Sequence, residues 1–156
     1  MGERATVEVY ADRTTKAYHD HSMAQAEADW YQRVPWACPE LLDFDGFKLT
    51  IATAHTAEAF PEWRPVGALR EILVELHRLG IHHRDVHVKN VVKGPRGTPL
   101  LIDWETALHF PSRLSYDLHG PDASGVQIPD IHRRLIPAWW NSIQRTSIMN
   151  QWEVTS

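Results

Sequence analysis

Short apolar–polar alternations and stretches of helical period succeed one another along the chain. "TVEVY" (6–10) and "TKAY" (15–18) flank the turn-like "ADRT", which predicts two strands in a hairpin. In "SMAQAEADWYQRVP", Ser22 with Gln25 three residues later forms a capping-box start and Pro35 a stop, so a helix is expected over about residues 23–33. "ELLDFDGFKLTIAT" (40–53) reads as two strands turning at Asp45-Gly46. Residues 54–65, interrupted by Pro61 and Pro65, read as a linker or short helix. In "GALREILVELHRLG" (67–80), Leu69, Ile72, Leu73, Leu76 and Leu79 recur at helical spacing and Gly80 stands where a helix cap belongs. "NVVKGPRGTPLLID" predicts a second hairpin, with "GPRG" as its turn between Val91-Val92 and Leu100 to Ile102. Past Asp103 the pattern weakens: "SYDLHGPDASGVQIPD" reads as loop and "RRLIPAWWNSIQ" as a short final helix.

Between the second helix and the second hairpin lies "GIHHRDVHVKNVV" (80–92), which breaks both periods. Three histidines, an arginine, an aspartate, a lysine and an asparagine alternate with Ile81, Val86, Val88, Val91 and Val92. A solvated loop has little use for so many valines. A buried strand could not leave that many polar groups unpaired, at a few kcal/mol each. The alternation points to a polar site on a rigid apolar footing. Bulk properties narrow its chemistry. With 156 residues the chain makes one domain with a modest core. A net charge of −4 argues against a nucleic-acid binder. The single cysteine, Cys38, excludes an internal disulfide and a four-cysteine zinc site, and reads as a small buried residue. No run approaches the roughly 18 apolar residues of a membrane span, and "MGERATVEVY" has no apolar signal core, so a cytoplasmic protein without a membrane segment is expected.

"LHRLGIHHRDVHVKNVV" followed by "LLIDWE" resembles the catalytic loop and metal-binding motif of the protein-kinase-like superfamily. His83-Arg84-Asp85 and Asn90 match the H-R-D-x-x-x-x-N pattern, and Asp103 stands where that family reads D-F-G. The resemblance implies magnesium-dependent transfer of the γ-phosphate of ATP to a hydroxyl. Asp85 would orient or accept the hydroxyl proton, Asn90 and Asp103 would hold magnesium, and His83 and Arg84 would brace the loop. Lys16 would pair with the ATP phosphates and Glu27, on the first helix, would hold Lys16. His87 would lie on the nucleotide side, where protein kinases place a lysine, and Lys89 is the cation that could substitute for that lysine. Asp117 is a candidate anchor for the loop.

The text also departs from that family. His87 and "IDWE" resemble the aminoglycoside and choline kinases, whereas Arg84 is typical of protein kinases. Fifteen residues precede Lys16 and carry no glycine-rich phosphate cover, so the hairpin turn at 12–15 is left to replace it. Fifty-three residues follow Asp103, fewer than that family devotes to its helical region. The expected fold is α+β: a minimal protein-kinase-like two-lobe domain over 1–156, with a reduced small lobe (1–53) and a truncated helical lobe (66–156), similar to very short phage kinase-like proteins. A protein Ser/Thr kinase-like activity is expected, with a protein as substrate or partner. A nucleotide-binding pseudokinase module and a small-molecule kinase are the alternatives. Self-association is plausible on apolar surface left by the short tail. The histidines offer no helical i, i+4 pair beside a glutamate, as a zinc protease would.

Overall fold

The computed structural model describes residues 5–52 and 55–119. The predicted first hairpin forms from β1 (Ala5–Val9) and β2 (Arg13–Tyr18), and the second strand pair from β3 (Leu41–Phe44) and β4 (Lys48–Ala52). All four make one antiparallel sheet in the order β1-β2-β4-β3. Register pairs Lys16 with Val7 on one side and with Leu49 on the other, so these three side chains share a face. Thr14 and Tyr18 fall on that face too, by the two-residue alternation of a strand.

Against that sheet packs α1 (His21–Arg33). Its buried residues are Ala24, Glu27, Ala28 and Tyr31, one stripe at i, i+3, i+4, i+7. The helix begins two residues earlier than expected and its cap is Asp20, not Ser22: the Asp20 carboxylate accepts from the Ser22 amide at 2.8 Å. Both residues are good caps, and the carboxylate lies close enough to take the orphan N–H first. Gln25, freed from a capping box, donates to Asp29 instead.

After β5 (His55–Thr56) and a single 3-10 turn, α2 (Val66–Arg78) buries Leu69, Leu73 and Leu76 completely. Gly80 ends it at φ +76°, and a Cβ there would meet the His109 ring at 3.0 Å, so glycine is required both for the turn and for the close approach. The chain then makes β6 (Ile81–His82), the polar loop, and the predicted hairpin β7 (Val91–Lys93) and β8 (Pro99–Leu101). β5 pairs with β7, and β6 pairs with β9 (Leu108–His109), so the start of the polar loop is tied to the segment beyond Asp103. Residues Tyr116–His119 form a short helix, α3, where a loop was expected; Tyr116 and Asp117 are buried in it. The helix expected over residues 133–144 lies outside the described residues. A continuous core joins the two halves, running from Tyr18, Ala28 and Leu49 through Leu73, Ile81 and Val86 to Leu101 and Trp104. Among the described residues, no helix is long and apolar enough to cross a membrane.

Candidate active site

The polar loop is held by its backbone before its side chains act. The buried Asp117 carboxylate accepts from the amides of His83 and Arg84, each at 2.8 Å. Burial pushes this carboxyl above its ordinary range, against the pull of those two amides. Arg84 is completely buried, at φ +73°, and its guanidinium donates to the Thr106 carbonyl and lies over the Tyr116 ring. It braces the loop and is remote from bulk solvent. The His83 ring accepts from the Asp85 amide at Nδ1 and donates from Nε2 to the Ile102 carbonyl at 2.9 Å. One imidazole therefore fixes Asp85 relative to the strand end that carries Asp103. The Ile102 amide returns to the Asn90 carbonyl, closing the arrangement from the other side.

Asn90 donates through Nδ2 to both the carbonyl (2.9 Å) and the Oδ2 (3.0 Å) of Asp85. With both amide hydrogens engaged, its Oδ1 takes no part in these bonds and is an acceptor only. Asp85 Oδ1 is buried and accepts no hydrogen bond among the described residues. Burial and the nearby Asp103 carboxylate push the Asp85 carboxyl up to about 8.

Lys16 reaches this loop from the small sheet. Its ammonium sits 2.9 Å from Asp103 Oδ1 and 3.0 Å from Glu27 Oε1. Burial alone would lower its pKa, but the Glu27 and Asp103 carboxylates outweigh it and hold the amine charged well above its usual range. Glu27 is itself buried and accepts from the Tyr18 hydroxyl at 2.6 Å and, through Oε2, from the Trp104 amide at 2.6 Å. A single carboxylate thus positions both the lysine and the backbone next to Asp103. Trp104, fully buried, stacks on Trp30 and meets the His83 ring edge-on at 4.7 Å. Asp103 adopts φ +62°, a left-handed conformation.

Lys16, Glu27, Asn90 and Asp103 line a cavity of about 180 Å³ walled by apolar side chains, among them Val7, Leu49, Ile51 and Ile102. Of the residues singled out in the sequence, Lys16, Glu27, Asn90 and Asp103 meet at this cavity, and Asp85 and His87 adjoin it through their contacts with Asn90. Lys89 does not: its side chain is exposed and its ammonium lies 4.0 Å from Glu58. The loop turns over residues 88–90, closed by the Asn90 amide on the His87 carbonyl at 2.8 Å, so the lysine two positions after His87 faces outward. Sequence reasoning gave no role to Tyr18 or Glu105. Glu105 Oε2 lies 3.5 Å from the Tyr18 hydroxyl, and its charge raises the pKa of both Lys16 and Asp85. No period in the sequence signals it, because Asp103 adopts a left-handed conformation and residues 105–106 form a turn. Cys38 is buried, which pushes its thiol above the ordinary range and leaves it unreactive.

No known protein family matches the sequence, and no curated protein matches it. Solved structures do share its fold. Monomeric WbdD is 17% identical with a TM-score of 0.53, over 69% of this chain and 33% of that one. A second structure, of the bifunctional kinase-methyltransferase WbdD, is 17% identical with a TM-score of 0.51, over 69% and 31%. The chain spans about a third of the length of those structures. The likeness at this identity is one of fold: mixed α and β, built from small antiparallel sheets and few helices in a kinase-like arrangement.

Proposed function

We propose that the chain is a magnesium-dependent phosphotransferase that moves the γ-phosphate of ATP to a hydroxyl group. The observation that carries this reading is the Lys16 ammonium, held between Glu27 and Asp103 by contacts of 3.0 and 2.9 Å. Phosphoryl transfer is chiefly positioning and charge neutralisation, and it needs a fixed cation beside a fixed metal ligand. The apolar walls of the cavity suit a nucleotide base, and Lys16 at its polar end suits the phosphates.

The donor set fits magnesium. Among the described residues, no three histidine, cysteine, aspartate or glutamate side chains gather closely enough to make an all-protein metal cage. Magnesium does not ask for one: it takes one or two protein oxygens and completes its shell with water and phosphate. Asp103 and the amide oxygen of Asn90 would hold it, and when bound it offsets charge on the β- and γ-phosphates. Asp85 Oδ1, buried and without a donor among the described residues, is the atom that would accept the proton of the attacking hydroxyl. Arg84, which completes the H-R-D pattern, favours a protein hydroxyl as acceptor. His87 and Trp104-Glu105 favour a small-molecule hydroxyl, which is the second reading.

The test is incubation of the purified chain with magnesium and ATP labelled at the γ-phosphate. Casein, aminoglycosides and choline serve as separate acceptors, beside Asp85→Asn and Asp103→Asn variants. Transfer that both variants lose supports the proposal, and the labelled acceptor decides between the two substrate classes. Thermal stabilisation by ATP and magnesium without transfer to any acceptor or to the chain itself would make it a nucleotide-binding module. No response to ATP at all would refute both.

A further inference from the structure

The imidazole of His87 has two nitrogens and a decided geometry. The Lys89 amide donates to Nδ1 at 3.1 Å, so that nitrogen carries a lone pair. A neutral imidazole must then carry its proton on Nε2. Nε2 lies 3.1 Å from Asn90 Nδ2 and 3.5 Å from Asp85 Oδ1. Asn90 cannot take the proton, because Nδ2 is a donor, and rotating the amide would point its oxygen at the two Asp85 oxygens it now serves. The carboxylate oxygen nearest the Nε2–H is Asp85 Oδ1, which at 3.5 Å makes no hydrogen bond with it or with any other group among the described residues.

His83 supports this assignment by its own pattern. There too the amide two residues on donates to Nδ1, and Nε2 makes the outward bond, to the Ile102 carbonyl. The loop thus uses one device twice: a backbone amide sets the tautomer and leaves the N–H on the opposite nitrogen.

We propose that His87 is a positioning residue for Asp85 and makes no contact with the ATP phosphates. Asn90 holds Oδ2 by a hydrogen bond and His87 stands 3.5 Å from Oδ1, so each carboxylate oxygen has a neighbour that limits rotation of its plane. Oδ1 remains open to an acceptor hydroxyl. A ring that accepts from the Lys89 amide on one side and faces Asp85 on the other is not a free cation for the nucleotide. The inference rests on the reading of Asp85 as the proton acceptor for its purpose, but not for its geometry.

Two measurements on the full chain test it. In the first, histidine ring 15N–1H correlations are recorded with 15N-labelled histidine, and the His87 signals are assigned by their loss in His87→Gln. The expected result is a single Nε2–H tautomer whose ring shifts move in Asp85→Asn. An Nδ1–H tautomer, tautomeric averaging, or ring shifts indifferent to Asp85→Asn would overturn the proposal. In the second, His87→Ala is expected to lower kcat about 10- to 100-fold with KM for ATP unchanged, as loss of a supporting contact does, and His87→Gln is expected to restore most of it. A raised KM for ATP with kcat intact would make His87 a phosphate contact and overturn the proposal. If the wild-type chain transfers no phosphate, the proposed function fails, while the ring spectra still decide the position of His87.

Discussion

Glu27 is the residue whose loss should be felt most widely, and Glu27→Gln is the informative change. The side chain keeps its length but has one acceptor oxygen where two were used. If the amide oxygen serves Lys16 and Tyr18, the NH₂ group faces the Trp104 amide at what was a 2.6 Å contact, donor against donor. If it serves Trp104, the NH₂ group meets the lysine ammonium and the tyrosine hydroxyl. Either way a buried donor loses its acceptor, at about 1–3 kcal/mol. The Lys16 pair loses one of its two carboxylates as well. Lys16 retains Asp103 and is partly exposed, so this second loss is the smaller, and the total is about 2–4 kcal/mol. Urea unfolding followed by far-ultraviolet circular dichroism measures it. Because the same carboxylate positions Lys16 and the backbone next to Asp103, any stabilisation by ATP and magnesium should fall in parallel. A change below about 0.5 kcal/mol, the range of ordinary surface substitutions, would refute the claim that one carboxylate organises both sides of the cleft.

Asp117→Ala should cost about 2–5 kcal/mol in the same assay, because two buried amides lose their acceptor at once; an unfolding midpoint equal to wild type would contradict the anchoring role. His82 gives a pH dependence. Burial lowers its pKa from 6.5 to about 4, so folding favours the neutral ring. Its contribution is fully present above pH 6.5 and is lost as pH falls from 6.5 towards 4, by up to about 3 kcal/mol. His82→Gln should flatten that part of the stability profile, and parallel profiles for the two proteins would count against it. Lys16→Met should abolish thermal stabilisation by ATP while leaving the far-ultraviolet spectrum intact; an undiminished shift would remove Lys16 from the nucleotide site.

How much of this was legible in the sequence depends on the length of each signal. α2 was plain because Leu69, Leu73 and Leu76 repeat over two turns and Gly80 closes them. Both hairpins were plain because turn residues sit between alternating runs. β5, β6 and β9 were not, since two residues carry no period, yet the β6–β9 pair is what ties the polar loop to the segment after Asp103. The cap of α1 was misplaced because Asp20 and Ser22 are equally good acceptors two positions apart, and only backbone geometry chooses. α3 was hidden for another reason: Tyr116 and Asp117 are buried by contacts with residues more than thirty positions away. The cleft itself was legible as a motif, because Asp85, Asn90 and Asp103 carry fixed spacings. The direction of Lys89 and the roles of Glu105 and Tyr18 were not, because each depends on where a neighbouring element lies.

The left-handed backbone at Asp103 bears on how the site should be dissected. A side chain other than glycine, asparagine or aspartate is ill at ease there, at roughly 1–2 kcal/mol. Alanine would therefore change two things together, removing a carboxylate and adding backbone strain, and its phenotype would blur folding with chemistry. Asparagine sits comfortably in that conformation and alters charge alone, while glycine would relax the chain and remove the carboxylate that pairs with Lys16. The aspartate stands where folding by itself would have accepted glycine.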